Sequence, residues 1–237
     1  MSGAGKRRTL VTGGGSGIGL SIAKRLAADG HDVTVLGRDR AKLEATGFAV
    51  IVADVADPAL KFDGDFDIVV NNAGIVRTAP FLKQGDADWS DLWRTNVMGA
   101  VHVTRAVLPG MRTRNWGRIV NVASTASLKG YGYVSAYVAS KHALLGLTRA
   151  LAAELVQTGV TVNAVCPGYT ETGIVRDAVA TIVSKTGRSE DEARAGFLNP
   201  QGRLIQPDEV AAAVAYLASD GARSVTGQAL AIAGGEL

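Results

Sequence analysis

Residues 9–19 read TLVTGGGSGIG. Leu10 and Val11 close an apolar run that predicts a buried strand. Gly13, Gly14, Gly15, Gly17 and Gly19 follow at once. Ile18, Leu20, Ile22, Ala23, Leu26 and Ala27 then recur at helical spacing. The stretch therefore reads strand, glycine turn, helix. Glycines at such a turn let backbone N–H groups approach a phosphate, and the helix N-terminus adds its positive dipole end. The spacing is G-x-x-x-G-x-G, not the G-x-G-x-x-G of the common dinucleotide fingerprint. By itself it suits a tight turn in a chain with 29 glycines as well as it suits a nucleotide.

Further short apolar runs follow the same rhythm. Residues 33–36 form a second strand and are followed by Gly37-Arg38-Asp39-Arg40. In a nucleotide-binding α/β fold the end of this strand meets the adenosine ribose. A carboxylate there would suit a free 2′-hydroxyl, whereas arginine suits a 2′-phosphate. Gly37 followed by Arg38 points to the phosphate, against the plainer reading of a polar surface turn. Residues 41–45 allow only a short helix. Residues 48–53 and 67–70 are the third and fourth strands, ending in Asp54-Val55 and in Asn71-Asn72-Ala73-Gly74. The twelve residues 55–66 between them are at the lower limit for a parallel crossover, so any helix there is a turn or two long.

The totals bound the reading. A chain of 237 residues with 47% hydrophobic and 20% charged residues predicts one α/β domain, 1–237, with a substantial core. A net charge of +3 without a basic, aromatic-studded stripe speaks against nucleic acid. The one tight basic run, Lys6-Arg7-Arg8, reads as a solvated tail. No apolar run reaches transmembrane length and no signal-peptide core is present, so no membrane partner is expected and the cytoplasm is the default compartment. Cys166 is the sole cysteine, which excludes an internal disulfide. His31, His102 and His142 have no metal-ligand spacing, so no metal is expected.

Residues 89–111 fit one long helix whose apolar face includes Asn96, a buried amide that must find partners. Residues 118–123 are the fifth strand, closed by Ser124-Thr125. A second long helix spans about 136–156, and in it Tyr137 and Lys141 share a face four residues apart. Residues 161–165 form the sixth strand, before Cys166-Pro167-Gly168; Cys166 reads as a packed small hydrophobe. Residues 169–206 are a lid-like excursion. Its first helix carries Ile174, Val175, Ala178, Val179, Ile182 and Val183 and stops at Gly187. Ser189 and Glu192 have capping-box spacing for a second helix. A last helix spans 207–218 and a seventh strand 229–233.

Strands alternating with helices predict a doubly wound parallel sheet. TGGGSGIG at 12–19, NNAG at 71–74, Asn96, Ser124, Tyr-Val-Ala-Ser-Lys at 137–141, and Pro167-Gly168 with Thr172 together resemble the short-chain dehydrogenase/reductase family, over essentially the whole chain. The resemblance implies one Rossmann domain, with a seven-stranded sheet in the order 3-2-1-4-5-6-7 and helices on both faces. It implies Tyr137 as general acid and Lys141 as the charge that stabilises its phenolate and holds the nicotinamide ribose. Ser124 would hydrogen-bond the substrate oxygen, and Asn96 would anchor a proton-relaying water. Gly13, Gly15, Ser16, Gly17, Ile18 and Gly19 would hold the pyrophosphate, and Arg38 the 2′-phosphate. Asp54 and Val55 would meet the adenine, and Asn72, Ala73 and Gly74 the neighbouring ribose. Pro167, Gly168 and Thr172 would face the nicotinamide end, Thr172 holding the carboxamide. The short crossover at 55–66 departs from the family, which usually has a full helix there, and leaves the cover of one sheet face open.

The expected activity is NADP(H)-dependent interconversion of a ketone and a secondary alcohol, with NAD(H) as the lesser cofactor. VNAVCPGYTET and NPQGRLIQPDEVAAAVAYLASD look like the 3-oxoacyl-thioester reductases of the family. Arg176, Lys185, Arg188, Arg194 and Arg203 around the lid read singly as solvated charges; taken together they would then meet the phosphates of coenzyme A or a carrier-linked pantetheine. The rivals are a reductase of a free small ketone and a non-enzymatic NADP(H) sensor, although sensors typically lack the tyrosine or lysine that stands here. The resemblance also implies a homotetramer or homodimer, paired through the helices 89–111 and 136–156.

Overall fold

The β strands of the computed structural model, which describes residues 6–237, are all parallel. They are β1 (Arg8–Thr12), β2 (Asp32–Gly37), β3 (Ala49–Val52), β4 (Ile68–Asn71), β5 (Gly117–Val122), β6 (Val160–Pro167) and β7 (Ala229–Ile232). They lie side by side in the order β3-β2-β1-β4-β5-β6-β7. This is the expected doubly wound sheet; residues 1–5 of the expected 1–237 domain lie outside the described residues. The helices are α1 (Gly17–Ala28), α2 (Arg40–Glu44), α3 (Asp86–Trp93), α4 (Gly99–Thr113), α5 (Ser135–Glu154), α6 (Gly173–Thr186), α7 (Glu190–Ala195) and α8 (Pro207–Ala218).

Side chains alternate across each strand, so neighbours enter opposite layers. Val11, Val35, Ile68, Val70, Val120 and Val122 pack with Ile22 and Leu26 of α1 and Val210, Val214 and Leu217 of α8. Leu10, Leu36, Val69 and Ile119 pack on the other face with Val103, Val107 and Met111 of α4 and Leu155. Cys166 is fully buried against Leu144 and Leu145 of α5, as a small hydrophobe.

The structure corrects two expectations. The run Lys6-Arg7-Arg8 is not a free tail. Arg8 opens β1, and the Arg7 and Arg8 guanidinium groups lie 4.0 and 5.3 Å from the Trp116 and Phe66 ring centres. Both arginines stay because an aromatic face attracts a planar cation and shields its stem.

The crossover 55–66 holds no helix. Val55 and Phe66 are buried in the second core layer, and Leu60 and Phe62 pack against it. Phe62 and Phe66 meet edge to face at 5.5 Å. Irregular chain thus covers the sheet face with large side chains where a helix would otherwise lie.

Second, the helix expected over 89–111 is two helices, α3 and α4, joined by a π turn at Arg94–Met98. One extra residue per turn shifts the register there, and Asn96 lies inside that turn.

Candidate active site

All the catalytic candidates meet at the carboxyl ends of β4, β5 and β6, where open α/β sheets bind ligands. Ser124 follows β5 and caps a short 3₁₀ turn, Thr125–Ser127, its Oγ accepting from Ala126 N–H at 3.1 Å. Tyr137 and Lys141 stand one turn apart on α5. Lys141 is buried; its Nζ donates to the Val122 carbonyl at 2.8 Å and lies 5.7 Å from the Tyr137 ring centre. Burial pulls the ammonium pKa down to about 8. Burial pushes the Tyr137 phenol above its ordinary value, and the neighbouring Ser124 side chain draws it back part of the way.

Asn96 is buried, and its amide brackets one residue of the β4–α3 segment. Oδ1 accepts from Ile75 N–H at 2.8 Å, while Nδ2 donates to the Ile75 carbonyl and to Ser140 Oγ, both at 3.0 Å. Gly74 faces both Asn96 and Lys141: a Cβ there would stand 3.2 Å from Asn96 Oδ1 and 3.7 Å from Lys141 Nζ. The π turn thus ties 74–75 to the catalytic helix.

The glycine turn lies beside this cluster. Gly13 has φ +65°, a conformation that side chains resist, and a Cβ on it would come within 2.9 Å of Asn72 Nδ2. The Asn72 amide donates to the Thr12 and Gly13 carbonyls at 2.9 and 3.3 Å. It therefore shapes the turn. Thr12 Oγ1 completes the junction by accepting from Asn72 and Ala73 N–H, both at 3.0 Å. Sequence reading missed Thr12, because its role needs β1 and β4 to be neighbours.

A dinucleotide fits these residues. Ser16 precedes α1 in extended conformation and makes no capping bond, so the first-turn N–H groups of Gly17, Ile18 and Gly19 face outward as anion donors. Gly13, Gly15, Ser16, Gly37, Arg38, Asp39, Lys42 and Leu43 line one open cleft of ≈ 460 Å³. Arg38 is exposed, with Nη1 3.9 Å from Asp54 Oδ2. Lys42, which sequence reading missed, adds a second cation, tethered at 3.3 Å to Asp39. Its signal was its place on the short helix after Arg38. Val55 is buried, held by His102 Nδ1 at 3.1 Å from its carbonyl. Thr172 precedes α6 and stands over the glycine turn: a Cβ on Gly17 would be 3.4 Å from its Cγ2. Pro167 ends β6, and Gly168 N–H bonds to the Ile232 carbonyl at 3.0 Å.

Residues 7–182 match the family model described as short chain dehydrogenase. The chain belongs to the short chain dehydrogenase family. This short-chain dehydrogenase is 40% identical over 242 residues to the D-beta-hydroxybutyrate dehydrogenase of Cupriavidus necator, covering 93% of the chain and 94% of that protein. It is 39% identical over 244 residues to the acetoacetyl-CoA reductase of Rhizobium meliloti, covering 97% and 98%. Its fold superposes on a variant of actinorhodin polyketide ketoreductase crystallised with NADPH, with TM-score 0.92, 38% identity and coverage of 98% and 97%. The chain is an oxidoreductase of this family.

The lid departs from expectation in its charges. Arg176 and Arg194 both pair with Glu171, and Arg203 pairs with Glu209 at 2.6 Å. Three of the five cations expected to meet substrate phosphates thus have carboxylate partners. Among the described residues only Lys185 and Arg188 of that set make no ion pair. The lid helices themselves are as expected: Gly187 ends α6 with φ +70°, and Ser189 and Glu192 form a capping box.

Proposed function

We propose that this short-chain dehydrogenase uses NADP(H) to interconvert a 3-oxoacyl thioester and the matching 3-hydroxyacyl thioester. One observation carries the chemistry: Ser124, Tyr137 and Lys141 converge beside a glycine turn whose cleft carries Arg38 and Lys42 at its ribose end. A bound nicotinamide supplies hydride to the carbonyl carbon. Ser124 and Tyr137 hydrogen-bond the carbonyl oxygen, so negative charge growing there meets two donors. Tyr137 passes its proton to that oxygen. Lys141, fixed by the Val122 carbonyl, holds positive charge near the phenol and orients the ribose. Asn96 keeps 74–75 against the catalytic helix and anchors the relay water. Gly13, Gly15, Ser16, Gly17, Ile18 and Gly19 hold the pyrophosphate. Asp54 and Val55 border the adenine, Asn72, Ala73 and Gly74 the next ribose, and Pro167, Gly168 and Thr172 the nicotinamide.

The thioester reading draws on relatives named for acetoacetyl-CoA and hydroxybutyrate, and on Lys185 and Arg188 as lid cations left for phosphate. It is tested by kcat/KM with NADPH for acetoacetyl-CoA against a simple ketone of similar acyl size. The thioester should win at low salt and lose part of that lead as salt screens the lid. Equal values at low salt would favour the free ketone instead. In the same assay Tyr137→Phe should lower turnover by about 10²–10⁴-fold while NADPH still binds; binding without turnover in the parent chain would mark a sensor. A single domain over 1–237, acting in the cytoplasm as a homotetramer, completes the proposal.

A further inference from the structure

We propose that Glu236, in the segment after β7, is a positioning residue for the substrate side of this site: it holds the Tyr131–Tyr169–Phe197 ring stack that runs from the loop after Ser124 to the lid. The proposal rests on Tyr137 being the proton donor. Glu236 lies far from the catalytic loop in sequence, yet its carboxylate is only 17% exposed and meets that loop directly. Its Oε1 is 3.1 Å from Lys129 Nζ and accepts from the Tyr131 hydroxyl, and Lys129 Nζ also donates to the Glu236 carbonyl at 3.1 Å. The other oxygen, Oε2, packs against Gly168. A Cβ on that glycine would stand 2.9 Å from it, so a side chain there would displace the carboxylate.

The bond directions follow from donor counts. The Tyr131 oxygen is also 2.7 Å from Thr125 Oγ1, and it has one proton to give. A carboxylate only accepts, so the phenol proton goes to Glu236 and the Thr125 hydroxyl donates to Tyr131. Burial and then the Glu236 bond raise the Tyr131 phenol far above its usual range, which keeps that donor in place at any working pH. The chain Thr125–Tyr131–Glu236 therefore runs one way, and its first member adjoins Ser124.

The rings extend this anchor to the lid. Tyr131 and Tyr169 meet at 6.3 Å and 74°, and Tyr169 and Phe197 at 4.9 Å and 90°, both edge to face. Tyr169 is close enough to Tyr137 to act on its phenol electrostatically. Phe197 packs on the lid cluster of Val175, Val179, Ala193 and Leu204. One carboxylate thus ties the loop between Ser124 and α5, the Gly168–Tyr169 segment and the lid together. Removing it frees Tyr131 and Tyr169 to turn, without touching the glycine turn or Arg38.

The test compares Glu236→Ala, Glu236→Gln and Tyr131→Phe in the full chain. Glu236→Ala should raise KM for acetoacetyl-CoA about tenfold with a smaller loss in kcat, leaving NADPH affinity within about twofold. Glu236→Gln keeps an acceptor of the same shape and should recover most of the loss; Tyr131→Phe should resemble Glu236→Ala. Amide hydrogen exchange supplies a readout independent of turnover. Residues 129–137 and 194–198 should exchange faster in Glu236→Ala, while α1 and α8 stay unchanged. The proposal is overturned by an unchanged KM, by NADPH affinity falling in step, by a glutamine variant no better than alanine, or by uniform exchange. If the parent chain reduces neither thioester nor ketone, the functional reading fails, and the exchange pattern still decides the role of Glu236.

Discussion

Lys141 carries a buried charge whose cost depends on pH. Its ammonium is buried, and burial pulls its pKa down to about 8 in the folded chain from an ordinary 10.5. Between these values the unfolded chain binds the proton and the folded chain does not, so this group's contribution to stability rises with pH across that window. Below pH 8 the buried charge is a standing cost. Lys141→Met should therefore raise the melting temperature at pH 7, and the gain over the parent should shrink by pH 10. A shift of this size corresponds to about 3 kcal/mol, less about 1 kcal/mol for the bond lost at the Val122 carbonyl. Thermal unfolding of both proteins at the two pH values checks it; a variant less stable at pH 7 than at pH 10, relative to the parent, contradicts the sign. At the other end of the cofactor cleft, Gly37 presents no carboxylate and Arg38 presents a cation. NADP(H) should stabilise the fold more than NAD(H) at equal concentration, and Arg38→Ala should erase most of that difference. Equal thermal shifts in the parent would refute the preference.

At the scale of elements, the π turn at Arg94–Met98 has the most consequence. It lets Asn96 bond both backbone groups of Ile75 and Ser140 Oγ at once. Asn96→Ala leaves those buried groups without partners, which should cost about 1–3 kcal/mol. Urea unfolding measures this, and a loss under a few tenths of a kcal/mol would mean water replaces the amide. The apolar period revealed a helix through 89–111 and placed Asn96 on its inner face. It did not reveal the π turn, because one extra residue in a turn blurs a 3.6-residue period without abolishing it. The crossover at 55–66 shows the reverse case. Its length correctly foretold little room for a helix. Which of its residues cover the sheet depended on Phe62 and Phe66 meeting edge to face across the second core layer.

At the scale of the molecule, the outer side of α3 and the π turn carries a shallow cleft of ≈ 440 Å³ lined by Trp89, Ser90, Trp93, Arg94 and Met98. Trp93 is 48% exposed. Paired with a second copy of the chain, this face would bury indole surface that water now meets. Light scattering at micromolar concentration should give four times the chain mass of 24.5 kDa. Trp93→Glu should shift it towards smaller species, whereas a monomer in the parent would refute the assembly. Among the described residues no helix is long and apolar enough to cross a membrane, and no cluster of metal-ligating side chains is present.

Local periodicity, glycine spacing and turn chemistry act over a few residues, and they are why the strands, α1, α5, the lid caps and the Tyr137–Lys141 pair were legible from residue order alone. The strand order was implied by resemblance and is borne out by the pairing. What only the tertiary structure decided are contacts between residues far apart in the chain. These include Thr12 with Asn72, Glu171 with Arg194, Arg7 on Trp116, and Glu236 on Tyr131. Each depends on which side chains meet once the sheet has closed its order. A carboxylate near residue 236 carries no local mark that it will lie against residue 131, because burial and partner choice are properties of the packed molecule.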